Sequence, residues 1–486
     1  MSPPRIKDLL LLTSTLTTLY LLLLHHRHPI STTTSSPTTL RHLLFSIAST
    51  SSSLPKRTPF INLWYHPTSS RAFIFLDHST PNLTTFTLPP IMTSSPTSSF
   101  PYTFQNGRRS AIRIARVVKE AVQLNQSNIR WYVFGDDDTV FFSYNLVKTL
   151  SKYDHERWYY VGSNSESYEQ NVQYSFDMAF GGGGFAISSS LARVLAGVLD
   201  SCLMRYPHLY GSDARVFSCL AELGVGLTHE PGFHQVDVRG DLFGLLSSHP
   251  LSPLLSLHHL DIVESIFPGM SRTQALEHLF KAVDVDPARI LQQSVCYDRS
   301  NSRTVSVAWG YAIQVFEGNQ LLPDFLLPQR TFRPWKRHRD VCLSRYMFKT
   351  REYPNVLCTR PPAFFLKSIL HDANGVYTDY IRYTSGDCLE KKAILKLERI
   401  KVFSQKLDLD IGQVYLCGHV VSIHIYSFQV SFSLYIFLSL SAAILFSVFQ
   451  LRAPRRQCCD VVSSSNETMA INIRECRVDE LISMQN

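Results

Sequence analysis

The sequence predicts an α/β protein with a mostly parallel sheet, helices on both faces of it, and a smaller C-terminal portion. Strand-like and helix-like hydrophobic patterns alternate through the first half of the chain, which is typical of a parallel sheet. The apolar run Trp131–Phe134 stops at a glycine followed by three aspartates, as a buried strand that ends in a polar turn would. A later run, Val305–Phe316, has the pattern of a strand in the C-terminal portion.

Length and periodicity predict the first elements. Leu43–Ala48 and Ala72–Leu76 are short apolar runs with the length of buried strands. Arg108–Leu124 has the spacing of an amphipathic helix. Its predicted apolar face consists of Ile112, Ala115, Val118 and Val122.

The alternation continues through the middle of the chain. Three serines, Ser188–Ser190, are candidate caps for the helix that follows them, and Ser271–Gln274 has the pattern of a capping box that begins another helix. Before the serines, the sequence predicts a strand at Arg130–Phe134, a helix at Ser143–Tyr153 and a strand at Trp158–Val161. After them it predicts a helix at Leu191–Leu203.

The three aspartates that follow the third strand form the strongest candidate for a functional site. In an extended backbone residues i and i+2 point the same way, so Asp136 and Asp138 can approach one cation while Asp137 points elsewhere. Adjacent carboxylates repel unless a positive charge lies between them. Because ligands of α/β sheets bind at the carboxyl edge of the strands, the triplet predicts a divalent ion that carries a phosphate-bearing ligand.

Composition and charge exclude several classes of protein. The 486 residues are 45% hydrophobic and 18% charged, so the chain is neither disordered nor fibrous. The net charge of +8 is spread along the chain, and the basic clusters Arg333–Arg339 and Arg452–Arg456 come with no nucleic-acid-binding motif. We therefore expect no nucleic-acid partner.

Three further motifs follow the aspartates in order. They are Gly181–Phe185 (GGGGF), Gly211–Asp213 (GSD) and His258–Asp261 (HHLD). With the aspartates, this order resembles the Fringe-like branch of the β-1,3-galactosyltransferase superfamily. Over Leu43–Glu317 and the tail Ala453–Val461, the chain more closely resembles the plant Fringe-related glycosyltransferase-like proteins, a family long labelled as a domain of unknown function.

This resemblance implies a nucleotide-sugar transferase of the single Rossmann-like domain type. The implied reaction moves a sugar, with inversion, from a UDP-sugar to a hydroxyl of a glycan or glycoprotein. A divalent cation, Mn²⁺ or Mg²⁺, would neutralise the diphosphate leaving group. The donor-binding residues that the resemblance implies are Asp136, Asp137, Gly182, Gly183 and Gly184.

The resemblance also implies the metal ligands. Asp138 and Asp136 are the expected carboxylates, with Asp136 also facing the ribose or sugar of the donor. The superfamily's pattern of a histidine, a leucine and an acid aligns His259 as the third ligand in preference to His258, and His234 is a more distant choice.

The implied reaction also needs a general base for the acceptor hydroxyl. Asp213 is the expected base, but the related pattern reads GSDD where this chain has Ala214 after Asp213, and in the galactosyltransferase relatives the second acid is the base. Either Asp213 serves or the base is missing. The alternative function is a catalytically impaired lumenal protein that binds nucleotide sugars or glycans. A metal-dependent phosphohydrolase is a third alternative, although we find no ligand set for a two-metal centre.

An apolar segment near the N-terminus predicts a membrane anchor. Leu9–Leu24 has Arg5 and Lys7 before it and no cleavage site after it. The positive-inside rule then places the N-terminus in the cytosol and the rest of the chain in the lumen. We expect a single-pass type II protein of the Golgi or endoplasmic reticulum membrane.

A second apolar segment, Val414–Gln450, contains no Asp, Glu, Lys or Arg and is long enough to span a bilayer. A span would place Cys458 and Cys459 in the cytosol, where disulfides do not form. Because Val codons begin with GT and Gln can be encoded by CAG, the segment also has ends compatible with an intron. We favour a retained intron over a transmembrane helix.

Ten cysteines in an oxidising compartment predict disulfides, and Cys202 with Cys219 or Cys342 with Cys358 are close enough in sequence to pair. The predicted organisation is a cytosolic tail and anchor (1–28), a stem (29–41), a Fringe-like transferase domain (42–290), a β-rich extension (291–413), the hydrophobic insert (414–450) and a C-terminal tail (451–486).

Overall fold

The computed structural model describes residues 37–79, 87–336, 345–384, 396–409, 455–465 and 467–482. The predicted anchor, Leu9–Leu24, and the insert, Val414–Gln450, lie outside these residues. Among the residues described, no helix has the length and apolar character needed to cross a membrane.

The first half of the chain forms a seven-stranded sheet with the order β3-β2-β1-β4-β7-β6-β8. β7 runs antiparallel to both of its neighbours, and the other neighbouring pairs are parallel. The prediction of a mostly parallel sheet is confirmed for this half. Its strands are β1 (Leu43–Ala48), β2 (Arg71–Leu76), β3 (Ile91–Thr93), β4 (Trp131–Asp136), β6 (Tyr160–Gly162), β7 (Phe185–Ser188) and β8 (Leu227–His229).

Helices cover both faces of this sheet because successive side chains of a strand point to opposite sides. In β1, Phe45 and Ile47 enter the core that contains α1 and α3, whereas Leu44 and Ala48 enter the core that contains α2, α5 and α6. These helices, with the short α4, are α1 (Leu54–Asn62), α2 (Ser110–Gln123), α3 (Ser143–Leu150), α4 (Tyr168–Gln173), α5 (Ser189–Arg205) and α6 (Ser212–Glu222).

The second half forms an eight-stranded sheet with the order β12-β13-β14-β16-β17-β18-β20-β19, in which only β18 and β20 are parallel neighbours. The outer strands β12 and β19 also approach each other, and the Cys296–Cys459 disulfide joins them, so the sheet is nearly a closed barrel. Its strands are β12 (Gln293–Asp298), β13 (Arg303–Ala308), β14 (Ala312–Glu317), β16 (Ala363–His371), β17 (Val376–Tyr383), β18 (Arg399–Ser404), β19 (Cys458–Ser464) and β20 (Thr468–Arg474).

Two expectations differ from what the second half shows. The single Rossmann-like domain type is not confirmed, because the C-terminal portion forms an eight-stranded sheet of its own. The run Val305–Phe316 is not one strand but most of the hairpin β13–β14, because Gly310 adopts φ of +76° and reverses the chain.

Short elements connect the two sheets. A small sheet with the order β5-β11-β9 begins directly after the aspartates, and β10 pairs with β15. Helix α8 begins after Ser271, which accepts a hydrogen bond from the backbone of Gln274 and so confirms the predicted capping box. The short elements are β5 (Val140–Phe141), β9 (Phe233–His234), β10 (Val238–Gly240), β11 (Ser256–Leu257), β15 (Phe332–Pro334), α7 (Phe243–Leu246), α8 (Arg272–Val285) and α9 (Leu322–Phe325).

Three disulfides lie within the described part of the chain. Cys202–Cys219 joins α5 to α6, as predicted. Cys342, of the other predicted pair, lies outside the described residues. Cys296–Cys459 joins β12 to β19, and Cys458–Cys476 joins β19 to the segment that follows β20.

The segments that precede and follow residues 410–454 both contact Arg289. The guanidinium of Arg289 donates to the carbonyl of Gln405 and to the side-chain oxygen of Gln457. The backbone N–H of Leu407 donates to Asp286 at 3.1 Å. The residues on the two sides of this stretch are therefore neighbours in the fold.

Candidate metal and donor site

The three aspartates lie at the carboxyl edge of the first sheet, between β1 and β7. Asp136 ends β4, and Asp138 lies in the turn that follows. The backbone N–H of Asp136 donates to the hydroxyl of Thr139 at 2.8 Å, and that hydroxyl donates to the carbonyl of Gly182 at 2.8 Å. The turn is therefore fixed against the glycine run.

Asp136, Asp138 and His258 form a cluster of candidate metal ligands. One side-chain atom from each residue lies within 4.8 Å of the other two. Nε2 of His258 is 3.1 Å from Oδ1 of Asp138 and 3.9 Å from Oδ2 of Asp136.

The buried carboxylate of Asp138 is suited to a cation. Both of its oxygens are buried, and neither accepts a hydrogen bond of good geometry from a described residue. His258 and Arg57 lie close to Oδ1 as ion-pair partners. With the second carboxylate, of Asp136, and one imidazole, the donor set fits Mn²⁺ or Mg²⁺.

The geometry favours the other histidine of the adjacent pair. His258, and not His259, lies beside the two carboxylates. The backbone at His259 has φ of +57°, and its ring stacks between the ring of His258, at 3.8 Å between centroids, and that of Trp335, at 4.4 Å. Nδ1 of His258 is 3.2 Å from the carbonyl of Gln235, so its Nε2 faces the aspartates.

The third candidate, His234, has other partners. Its Nδ1 is 3.1 Å from Oε1 of Glu166, and its Nε2 is 3.1 Å from Nε2 of His249. The other Glu166 oxygen accepts from the backbone N–H of Asp237 at 3.3 Å. His234 therefore supports the loop that leads to Asp237 and lies outside the cluster.

Burial and neighbouring charges shift the pKa values of the cluster in different directions. Burial raises the pKa of Asp138, but His258 and Arg57 outweigh it and hold this pKa below its usual range. Burial and the carboxylate of Asp138 raise the pKa of Asp136 to about 7, although His258 opposes them and 40% of the Asp136 side chain is exposed to water.

The two adjacent histidines differ in charge. Burial lowers the pKa of His258, but Asp138 and Asp136 outweigh this and raise it to about 9. Burial and the charge on His258 lower the pKa of His259 to about 3. Without a metal, His258 is therefore the protonated imidazole, and a metal ion bound there would replace its proton.

Arg57, on α1, joins three carboxylates of the site. Its Nη1 is 3.0 Å from Oδ1 of Asp137 and 2.6 Å from Oδ1 of Asp138, and its Nη2 is 2.7 Å from Oδ2 of Asp261. No motif surrounds Arg57 in the sequence, and its partners are 80 or more residues away. Only the fold reveals that it supplies the positive charge between these acids.

Asp137 faces α1 rather than the other two aspartates. Its Oδ2 accepts from the hydroxyls of Ser49, at 2.7 Å, and Ser53, at 2.6 Å, while Arg57 donates to its Oδ1. The side chain is 6% exposed. These contacts make Asp137 a support for the turn, and its contact with a donor stays a prediction.

The glycine run allows side chains of the site to approach its backbone closely. A β-carbon on Gly182 would lie 2.2 Å from the ring of His258, and one on Gly181 would lie 2.5 Å from Oδ1 of Asp213. Gly184 has φ of +84°. The run is therefore required for the approach of these side chains, while the predicted donor contacts of Gly182, Gly183 and Gly184 stay predictions.

Asp213 lies in the first turn of α6, across a narrow cavity of about 30 Å³ from Asp136. Burial raises the pKa of its carboxyl, which also accepts a hydrogen bond from the hydroxyl of Ser212 at 2.9 Å. Ala214, which follows, adds no acid to this turn. Asp213 is thus the acid that α6 presents to the cluster.

Two family models match the chain. Residues 38–242 match the model described as Fringe-like, and residues 170–416, slightly more than half of the chain, match the model described as protein of unknown function, DUF604. The Fringe-like match covers Asp136, Asp138 and Asp213, whereas His258 falls within the DUF604 match. No curated protein matches the chain.

Proposed function

Because the chain belongs to the DUF604 family and its first half also matches the Fringe-like family, we propose that it is a metal-dependent, inverting glycosyltransferase. The Fringe-like match supports glycosyltransferase-type activity in general. The finer proposal is a UDP-sugar donor and a hydroxyl acceptor on a glycan or glycoprotein. The observation that carries it is the placement of the Asp136, Asp138 and His258 cluster across a narrow cavity from Asp213.

In this proposal Asp136, Asp138 and His258 hold Mn²⁺ or Mg²⁺ at the edge of the sheet. A cation held there would neutralise the charge of the departing diphosphate. Asp138 contributes the buried carboxylate, and Asp136, which is partly exposed, faces the opening from which a donor arrives. Arg57 pairs with both Asp137 and Asp138, and with His258 it holds the pKa of Asp138 below its usual range.

Asp213 acts as the general base in the transfer. The acceptor hydroxyl attacks the anomeric carbon, its proton passes to the Asp213 carboxylate, and the bond from that carbon to the UDP oxygen breaks. The product is the glycosylated acceptor with inverted configuration, and UDP leaves with the bonding electron pair. A raised pKa makes Asp213 a stronger base than an exposed aspartate.

The second candidate function is a protein that binds nucleotide sugars or glycans without turnover. Two features favour it: Ala214 stands where the GSDD pattern of the resembled family has its second acid, and the Asp213 carboxyl already accepts from Ser212. A phosphohydrolase gains no such support. The other group of potential ligands in the described residues contains Cys458 and Cys476, which are joined in a disulfide.

We also propose that the folded part is lumenal, anchored through Leu9–Leu24 in a Golgi or endoplasmic reticulum membrane. The support is chemical, since disulfides persist in oxidising compartments. The three described disulfides lie in both halves of the chain.

The experiment that tests this function is incubation of the purified full chain with Mn²⁺ and a panel of UDP-sugars, with and without glycan acceptors. UDP release that requires the metal and increases with an acceptor supports the transferase. Metal-dependent UDP binding without any release supports the binding protein. Release of phosphate from simple phosphate esters would favour the hydrolase instead.

A further inference from the structure

A large cavity lies between the first half of the chain and the second sheet. Its volume is about 1210 Å³. Pockets that enclose one drug-sized ligand have roughly 300–1,000 Å³. The cavity is therefore large enough for a chain of several small units and is not sized for a single monosaccharide.

Aromatic rings form one wall of this cavity. Tyr311 contacts Phe267 and Phe365 edge to face, with 5.4 and 5.8 Å between ring centroids, and Phe365 contacts Tyr383 at 5.9 Å. Tyr383 is 49% exposed, so its ring is available to a ligand. The C–H faces of sugar rings pack on such aromatic surfaces, which combine apolar area with a polar tip.

One polar group in this wall lacks a partner. Tyr311 is 1% exposed and lines the cavity, and its hydroxyl makes no hydrogen bond with any described residue. The hydroxyl is thus open to the cavity, and a ligand that exchanges a hydrogen bond with it gains affinity. The phenol can both donate and accept, as a sugar hydroxyl can.

The charges around the cavity nearly balance. Four carboxylates and three cationic side chains line it. Glu264 and Glu398 are two of these carboxylates, and both can accept hydrogen bonds from ligand hydroxyls. This balance favours a neutral ligand rich in hydroxyl groups over an anionic or cationic one.

The cavity lies close to the proposed transferase site along two stretches of chain. Asp241, which lines the cavity, is four residues from Asp237, beside His259, and four residues span at most about 14 Å. Glu264 is three residues from Asp261, which pairs with Arg57, and three residues span at most about 11 Å. A chain of a few sugar units can reach from the cavity to the site.

We propose that this cavity binds the sugar units of a neutral oligosaccharide acceptor that lie beyond the unit being modified. The inference rests on the proposed transferase function and extends it, because it gives the second sheet a role in selecting the acceptor. Tyr383 and Phe365 provide the stacking surface, Tyr311 provides a hydrogen bond, and Glu264 accepts from ligand hydroxyls.

The test measures oligosaccharide binding to the full chain by titration calorimetry, without donor or metal. The probes are neutral β-linked tetrasaccharides of glucose, xylose and galactose, with tetragalacturonic acid as the anionic comparison. Tyr311→Phe removes only the hydroxyl and should weaken binding about two- to tenfold, the range for one hydrogen bond. Tyr383→Ala should weaken it by more. Tyr377→Ala, an exposed tyrosine on the same strand outside the cavity, is the matched control.

Binding of at least one neutral tetrasaccharide, weakened by Tyr311→Phe and Tyr383→Ala but not by Tyr377→Ala, supports the inference. Absence of binding by every neutral probe, equal binding to all variants, or preference for tetragalacturonic acid would overturn it. Failure of the transferase function gives a separate result, since loss of UDP release does not affect a titration performed without donor. A chain that transfers sugar to peptides alone would also contradict the inference.

Discussion

Nε2 of His258 lies 3.1 Å from Oδ1 of Asp138, a carboxylate that the protein otherwise buries completely. Asp138 belongs to the part that matches the Fringe-like model, and His258 lies 120 positions later in the chain. The proposed metal site therefore exists only when the small β5-β11-β9 sheet is formed, because β11 brings His258 to the end of β4.

The first prediction separates the two adjacent histidines. His258→Ala removes the imidazole from the cluster and should weaken Mn²⁺ binding at least about tenfold, since even residues that only support a metal ligand cost 10- to 100-fold when replaced. His259→Ala should have a smaller effect, because this ring only stacks behind His258. Electron paramagnetic resonance of free Mn²⁺ measures both. A larger loss in the His259 variant would identify His259 as the metal ligand.

The second prediction concerns the charge supplied by Arg57. Arg57→Ala leaves Asp137 and Asp138 without their shared cation, and the free energy of unfolding should fall by about 3 kcal/mol. Urea unfolding measures the change. Arg205→Ala, which breaks an exposed pair with Glu222, is the control and should have little effect.

Added Mn²⁺ should restore part of the stability lost in Arg57→Ala, because a metal ion replaces the missing positive charge. The increase in stability with Mn²⁺ should be greater for this variant than for the wild-type chain. An equal increase in the variant and in the wild-type chain would show that the metal does not replace the charge that Arg57 supplies to Asp138.

The third prediction concerns the base. If Asp213 is the base, Asp213→Asn should abolish turnover and Ala214→Asp should add little. If the base is missing, Ala214→Asp should raise turnover by about tenfold or more, the scale expected for a positioned base, without changing donor affinity. Rates of sugar transfer under saturating donor decide between them. If neither substitution changes the rate, the base assignment is wrong and the binding-protein function gains support.

The fourth prediction concerns the hydrophobic insert. Transcripts that lack the codons for Val414–Gln450 should exist and join Gln413 to Leu451. The chain without the insert should fold with the same disulfides, because Arg289 already holds Gln405 beside Gln457. Messenger RNA sequencing and disulfide mapping test the two statements. Genomic sequence without splice-compatible ends would favour the helix.

Local patterns were sufficient to predict the first sheet and its helices. The strand Leu43–Ala48 was predicted residue for residue, and the Ser271 capping box was identified from its spacing. Such features depend on neighbours in sequence. The closure of the second sheet does not depend on sequence neighbours, because Cys296 and Cys459 are 163 residues apart. The hairpin turn depends on the conformation of one glycine, Gly310.

The candidate site was predictable only in part for the same reason. Asp136 and Asp138 follow from strand alternation, whereas the choice between His258 and His259 depends on a positive φ at His259 that no pattern reveals. Arg57 was missed because it meets its partners only through the fold.

The most direct test of the central claim is calorimetric titration of UDP into the full chain with Mn²⁺ or with a chelator. We predict that UDP binds only with the metal, and that Asp138→Asn weakens this binding at least about tenfold because it removes the buried charged ligand. Glu277→Gln, an exposed acid on α8, is the control and should bind as the wild-type chain does. Equal UDP affinity in the chelator, or unchanged affinity in Asp138→Asn, would contradict the account.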